Sequence, residues 1–316
     1  MQSNQKILPT RRTYNKLVAN EMMEDFALRF TARRARHWSL SRIAITALGI
    51  VSFLVLEAIG GAITLSYGFE NSAWAILAVM SVVFLTGLPI SYYAAKYGVD
   101  IDLLSRGAGF GYIGSTIASL IYASFTFIFF ALEAAIMSMA LQILFGIPLS
   151  IGYVISAIIV IPLVTHGIAY ISRFQVWTQP LWIILQCLPL YFVFNHDDSH
   201  LQGWISFTGQ ASEQGSSFNL LLFGAASSVL LSLVAQIGEQ VDFLRFLPEK
   251  PKKQTWRWWC ALIAAGPGWI LFGALKLFLG SFLAYLALQQ GVPANLADAP
   301  AHMYQLAYGY VFDNPD

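Results

Sequence analysis

Seven long apolar segments constrain this chain more than any other feature. They run at about 43–68, 72–95, 112–145, 149–171, 176–194, 218–246 and 257–288. About 20 mostly apolar residues are enough for a helix to cross a bilayer. Charged residues make up only 11% of the chain, against 57% hydrophobic residues and a mean hydropathy of +0.62; soluble domains carry about 25% charged residues. A membrane β-barrel would show short alternating segments instead. The expected fold class is an all-α polytopic membrane protein, with the lipid bilayer as its surroundings.

The basic residues set the orientation. Nine of the 18 Lys and Arg lie at or before Arg42. Lys96, Arg106, Arg173, Arg245, Lys250, Lys252, Lys253 and Arg257 fall in loops that are all cytoplasmic if the N-terminus is inside. The opposite loops hold none, so the positive-inside rule predicts seven crossings from a cytoplasmic N-terminus to an outer C-terminus, in the inner (plasma) membrane. Lys276 is the exception, inside the seventh span. Topology accounts for the basic clusters, and nucleic-acid binding is not supported. Cys187 and Cys260 lie within spans and read as buried small apolar residues rather than a disulfide pair. The first apolar stretch begins after about forty residues and is too long for a signal peptide.

Residues 1–41 are expected to form a cytoplasmic segment. Tyr14, Leu17, Val18, Met22, Phe26 and Phe30 recur near helical spacing, with Arg33, Arg34 and Arg36 following. This reads as a short amphipathic helix on the inner surface or as a solvated cap. Residues 42–290 form the membrane domain, and 291–316 an outer loop.

Three glutamates sit inside apolar segments: Glu57, Glu133 and Glu239. A charged residue at mid-membrane costs roughly 2.5–3.5 kcal/mol on insertion scales, so each needs a polar role. Span one carries Glu57-Ala58-Ile59-Gly60-Gly61 and span six carries Gln236-Ile237-Gly238-Glu239. The two spans cross in opposite senses, and glycine beside a carboxylate in both hints at an inverted repeat with helices interrupted at Gly60, Gly61 and Gly238. Close helix packing through small residues is the other reading. Phe129 and Glu133 are four apart and share one helix face. A ring one turn from a carboxylate suits a flat heterocycle, which stacks on the ring and donates to the carboxylate; a plain aromatic packing stripe is the alternative. Glu57 and Glu239 could hold a proton, a cation or a substrate donor, or bond a neighbouring helix. Lys276 could counter one of them or snorkel to an interface.

Asp100, Asp102 and Arg106 form a polar loop between spans two and three. They read as a solvated turn or as a gate against Asp242 and Arg245 at the end of span six. Gly109-Phe110-Gly111-Tyr112-Ile113-Gly114 matches the dinucleotide fingerprint, but spans lie on both sides where a strand is needed. A tight, flexible entrance to span three fits better. His166 stands alone, with no metal-ligand spacing around it. No nucleophilic constellation is present, so no catalytic residues are expected in this chain, and no cofactor beyond a coupling ion.

The run Arg106-Gly107-Ala108-Gly109-Phe110-Gly111-Tyr112-Ile113-Gly114, with Asp242-Phe243-Leu244-Arg245-Phe246, resembles the nucleobase–cation symporter family, which includes purine–cytosine permeases. The resemblance covers about residues 40–290. It implies a five-plus-five inverted-repeat (LeuT-like) fold, of which the first seven spans are here, so the native polypeptide is expected to continue past Asp316. It also implies alternating-access transport of a nucleobase-like solute coupled to Na+ or H+. The family's span-three tryptophan and glutamine fall on Phe129 and Glu133, its span-six asparagine falls on Glu239, and a span-six tryptophan falls near Leu233. Two amide positions have therefore become acids. Residues 11–41 and span three also look like a subgroup in which the permease-like module is fused to a bacterial hybrid sensor histidine kinase. That implies an alternative role as a ligand-sensing input to a downstream kinase domain in a two-component system. The substrate-site residues expected on these grounds are Glu57, Gly60, Gly61, Phe129, Glu133, Gln236, Gly238 and Glu239, with Asp102, Arg106, Asp242 and Arg245 as gating residues.

Overall fold

The computed structural model describes residues 31, 36, 38–165, 167–196, 199–211, 218–253 and 255–312. The proposed amphipathic helix and His166 lie outside the described residues. The order of elements is α1 (Leu40–Leu48), α2 (Val55–Tyr67), α3 (Phe69–Tyr97), α4 (Ile101–Ser105), α5 (Gly111–Phe145), α6 (Leu149–Thr165), α7 (Gly167–His196), α8 (Ser199–Ile205), α9 (Leu220–Leu231), α10 (Gln236–Leu244), α11 (Thr255–Ala265), α12 (Trp269–Gln289), α13 (Ala294–Ala297) and α14 (Pro300–Gly309). Among the described residues, five stretches are long and apolar enough to cross a membrane: Phe69–Tyr97, Ile101–Phe145, Tyr170–Asn195, Leu220–Leu244 and Thr255–Gln289. Two shorter apolar helices, Val55–Tyr67 and Leu149–Pro162, occupy the other predicted segments.

Span one is not one helix. α1 stops in a 3-10 turn over Gly49–Ser52, and α2 starts at Val55. Span six breaks the same way, with α9 and α10 joined by a 3-10 turn at Ser232–Ala235. Irregular backbone at membrane depth survives only where protein satisfies its polar groups. Here Ser52 Oγ donates to Gly49 O at 2.7 Å, Ser232 Oγ donates to Val229 O at 2.7 Å, and the Val55 N–H donates to Glu133 Oε1 at 3.0 Å.

The breaks do not fall on the predicted glycines. Gly60 and Gly61 lie within regular α2, and Gly238 lies within regular α10. Their role is close approach. A Cβ on Gly60 would stand 2.0 Å from Leu277 O, and one on Gly280 would stand 2.0 Å from Glu57 O. Each glycine thus admits the other helix's backbone, and α2 and α12 pack with main chain against main chain, as small residues permit in membranes. Gly238 admits the Tyr122 ring of α5.

α12 is the centre of the bundle, with residues Phe282–Ala287 buried without interruption. One apolar cluster joins Val55, Leu56 and Ile63 of α2 to Phe125 and Phe129 of α5, Leu230 of α9, Leu233 of the second break, and Leu277 of α12. The outer helix faces carry many exposed large apolar residues, including Ile128, Ile158 and Leu271, as lipid-facing surfaces do. Cys187 and Cys260 are exposed rather than buried as the sequence suggested. Gly109, in the π turn Arg106–Phe110 that leads from α4 into α5, and Gly111, the residue after it, adopt positive φ (110° and 66°). The glycine-rich motif is therefore the entrance to span three.

Candidate functional site

α2 leaves its first N–H groups without helical partners because the chain is unwound before it. A carboxylate is the natural acceptor at such an end. Glu133, reaching from α5, supplies it through the Val55 N–H. One turn earlier on α5, Phe129 packs against Phe125, with ring centroids 4.2 Å apart. Both rings share a cluster with Val55 beyond the first break and Leu233 in the second. The two breaks therefore converge on the Phe129–Glu133 face of α5.

Glu57 lies in the first turn of α2 and is fully buried. Its Oε1 is 2.9 Å from Lys276 Nζ of α12 and accepts from Tyr304 Oη of α14 at 3.1 Å. Its Oε2 is buried with no hydrogen-bond partner among the described residues. Lys276 is also buried, and it is close enough to Glu133 to attract it electrostatically. Lys276 therefore counters a glutamate rather than snorkelling. A cavity of about 720 Å³ extends from Leu54, at the first break, to Tyr304, between Ile136 of α5 and Trp182 and Gln186 of α7.

The predicted residues separate into two groups. Glu57, Glu133 and Phe129 meet around the start of α2. Gln236 and Glu239 hydrogen-bond to each other on α10, and Glu239 interacts electrostatically with Tyr122. Tyr122 precedes Glu133 by eleven residues on α5, a rise of about 16 Å. Gln240, also on α10, is buried with neither amide atom partnered among the described residues. Of the gating residues, Asp102 binds Arg106 at 3.1 Å and accepts from Ser119 Oγ at 3.1 Å, tying α4 to α5. Arg245 donates to the Asp242 carbonyl at 3.2 Å and lies over the Phe246 ring. α10 packs against α4, which brings the two gating pairs to one end of the bundle.

The sequence offered no sign of Tyr304. It lies 247 residues from Glu57, on a helix of the predicted outer loop, and only the fold brings it in. Glu133's capping role was equally hidden, because the break it caps was expected elsewhere.

No family model matches the sequence, and no curated protein matches it. Among solved structures, the chain aligns with Mhp1, described as a nucleobase-cation-symport-1 family transporter in a closed conformation with bromovinylhydantoin bound. The alignment covers 95% of this chain and 70% of that one, with a TM-score of 0.57 and 15% identity. This chain has the fold of Mhp1. The architecture is thus the inverted-repeat membrane fold expected from the sequence, and the broken spans one and six belong to it. At 15% identity the likeness to Mhp1 is one of backbone path.

Proposed function

We propose that this chain forms a membrane domain of a symporter that moves a nucleobase-like small molecule by alternating access. Its coupling ion is sodium or a proton, its membrane is the inner (plasma) membrane, and its N-terminus is cytoplasmic. The observation that carries this reading is the convergence of the two helix breaks on Phe129 and Glu133, in a chain with the fold of Mhp1. A flat heterocycle would stack on Phe129 and donate N–H groups to Glu133, the acceptor that already serves the Val55 N–H. Glu57 borders the same region and would shape its charge. Gln236 and Glu239 would form a second polar step on α10. The Asp102–Arg106 and Asp242–Arg245 pairs would close one end of the pathway.

Mhp1's bound bromovinylhydantoin is a planar ring with amide-type donors, and a related ring is the first candidate for this chain. The test is uptake of radiolabelled uracil, cytosine and hydantoin into proteoliposomes under sodium or proton gradients. Gradient-driven accumulation of at least one of them supports the reading. Absence of both binding and uptake across the three rings contradicts it.

A further inference from the structure

Span seven carries a lysine where an apolar residue would cost nothing, and the structure shows what it faces. Lys276 is 4% exposed and lies between α12 and the first turn of α2. Its Nζ is 2.9 Å from Glu57 Oε1, and its charge also reaches Glu133, which caps that helix. The ammonium therefore pairs with Glu57 in the first turn of α2, and its charge is felt by Glu133 on α5. Among the described residues, the other neighbours of Glu57 add no second cation. Tyr304 of α14 donates a neutral hydroxyl, and Asp298, in the turn before α14, lies beside Gly61. α3 carries charge only at its ends, at Glu70 and Lys96, and α9 carries none.

We propose that Lys276 is a resident cation: its ammonium fills the seat beside Glu57 and Glu133, so this chain takes no sodium there. This rests on the transporter reading above and narrows its coupling ion. A carboxylate buried at mid-membrane must be neutralised, by a proton, a metal ion or a fixed cation. Where the fixed cation is built in, a metal ion gains little attraction and meets the ammonium's repulsion. With two carboxylates against one ammonium, one negative charge remains, and the exchangeable ion left to neutralise it is a proton shared over the Glu57–Glu133 pair, to which Glu57 Oε2, buried and without a hydrogen-bond partner among the described residues, is open. Lys276 thus acts as a determinant of ion selectivity.

The test is thermal unfolding of the detergent-purified protein in sodium chloride against choline chloride of equal ionic strength, with no solute present. The outcome is therefore independent of what the protein transports. Wild type should melt at the same temperature in both salts. Lys276→Met should gain sodium-specific stabilisation of several degrees, as mass action requires for a site opened to that ion. Glu57→Gln added to Lys276→Met should abolish the gain. A lysine with a purely structural role would lower the melting temperature equally in both salts. Sodium-specific stabilisation of wild type that Glu57→Gln removes overturns the proposal. So does a folded Lys276→Met no more responsive to sodium than wild type, or one that folds in neither salt while the double variant folds.

Discussion

Lys276 Nζ lies 2.9 Å from Glu57 Oε1, with both side chains sealed between α12 and α2. Removing one member of a buried ion pair strands the other charge and costs about 3–5 kcal/mol, whereas replacing both is often close to neutral. Glu57→Gln or Lys276→Met alone should therefore destabilise strongly, and the double variant should recover most of the loss. A double-mutant cycle of unfolding in detergent checks this. Additive losses would mean that the two groups do not depend on each other.

The α2–α12 contact predicts a sharp contrast among glycines. Gly60→Ala and Gly280→Ala each push a Cβ onto rigid backbone, at 2.0 Å from Leu277 O and Glu57 O respectively. Each should cost about 1–3 kcal/mol, as overpacking does. Gly224 of α9 has nothing within 4 Å of its Cβ position, so Gly224→Ala should be neutral or stabilising by up to about 1 kcal/mol. Melting temperatures of the three variants measured together decide the matter.

Glu133 is expected to separate stability from binding. Glutamine keeps a carbonyl oxygen for the Val55 N–H, so Glu133→Gln should fold normally. Glu133→Leu removes the cap and should cost about 0.5–2 kcal/mol. Both should lose most affinity for a nucleobase-like ligand. Comparing expression, melting temperature and binding of the two variants separates the roles.

Burial raises the Asp298 carboxyl above its ordinary value. A group with a raised folded pKa binds its proton more tightly when folded, so its ionisation opposes folding once the pH passes the unfolded pKa. Asp298→Asn should therefore raise the melting temperature at neutral pH and change it little in acid. An Asn variant that is equally shifted at both pH values would place the effect elsewhere.

The sequence announced the membrane, the spans and the odd polar residues within them, because apolar run length and mid-span carboxylates are local properties. It announced the inverted repeat through matched glycine–glutamate clusters, but for the wrong reason. Gly60, Gly61 and Gly238 admit neighbouring helices, and the unwinding occurs at 49–54 and 232–235, where nothing but Gly49 hints at it. Which side chain would rescue the exposed N–H groups of α2 depended on how α5 crosses it, a tertiary fact. The partners of Glu57 were half legible: Lys276 stood out as a charge in an apolar span, whereas Tyr304 looked like any residue of an outer loop. The packing of α4 against α10, which brings Asp102 and Arg106 to the same end of the bundle as Asp242 and Arg245, is likewise a tertiary fact.

The most direct test of the account is equilibrium binding of radiolabelled uracil, cytosine and hydantoin to the purified protein and to two folded variants, Phe129→Ala and Glu133→Gln. The account predicts saturable binding of at least one ring by wild type, weakened at least about tenfold in each variant, a loss of about 1.4 kcal/mol or more. Binding that survives unchanged in both variants would contradict it, because no solute resting between the two helix breaks could be indifferent to both residues.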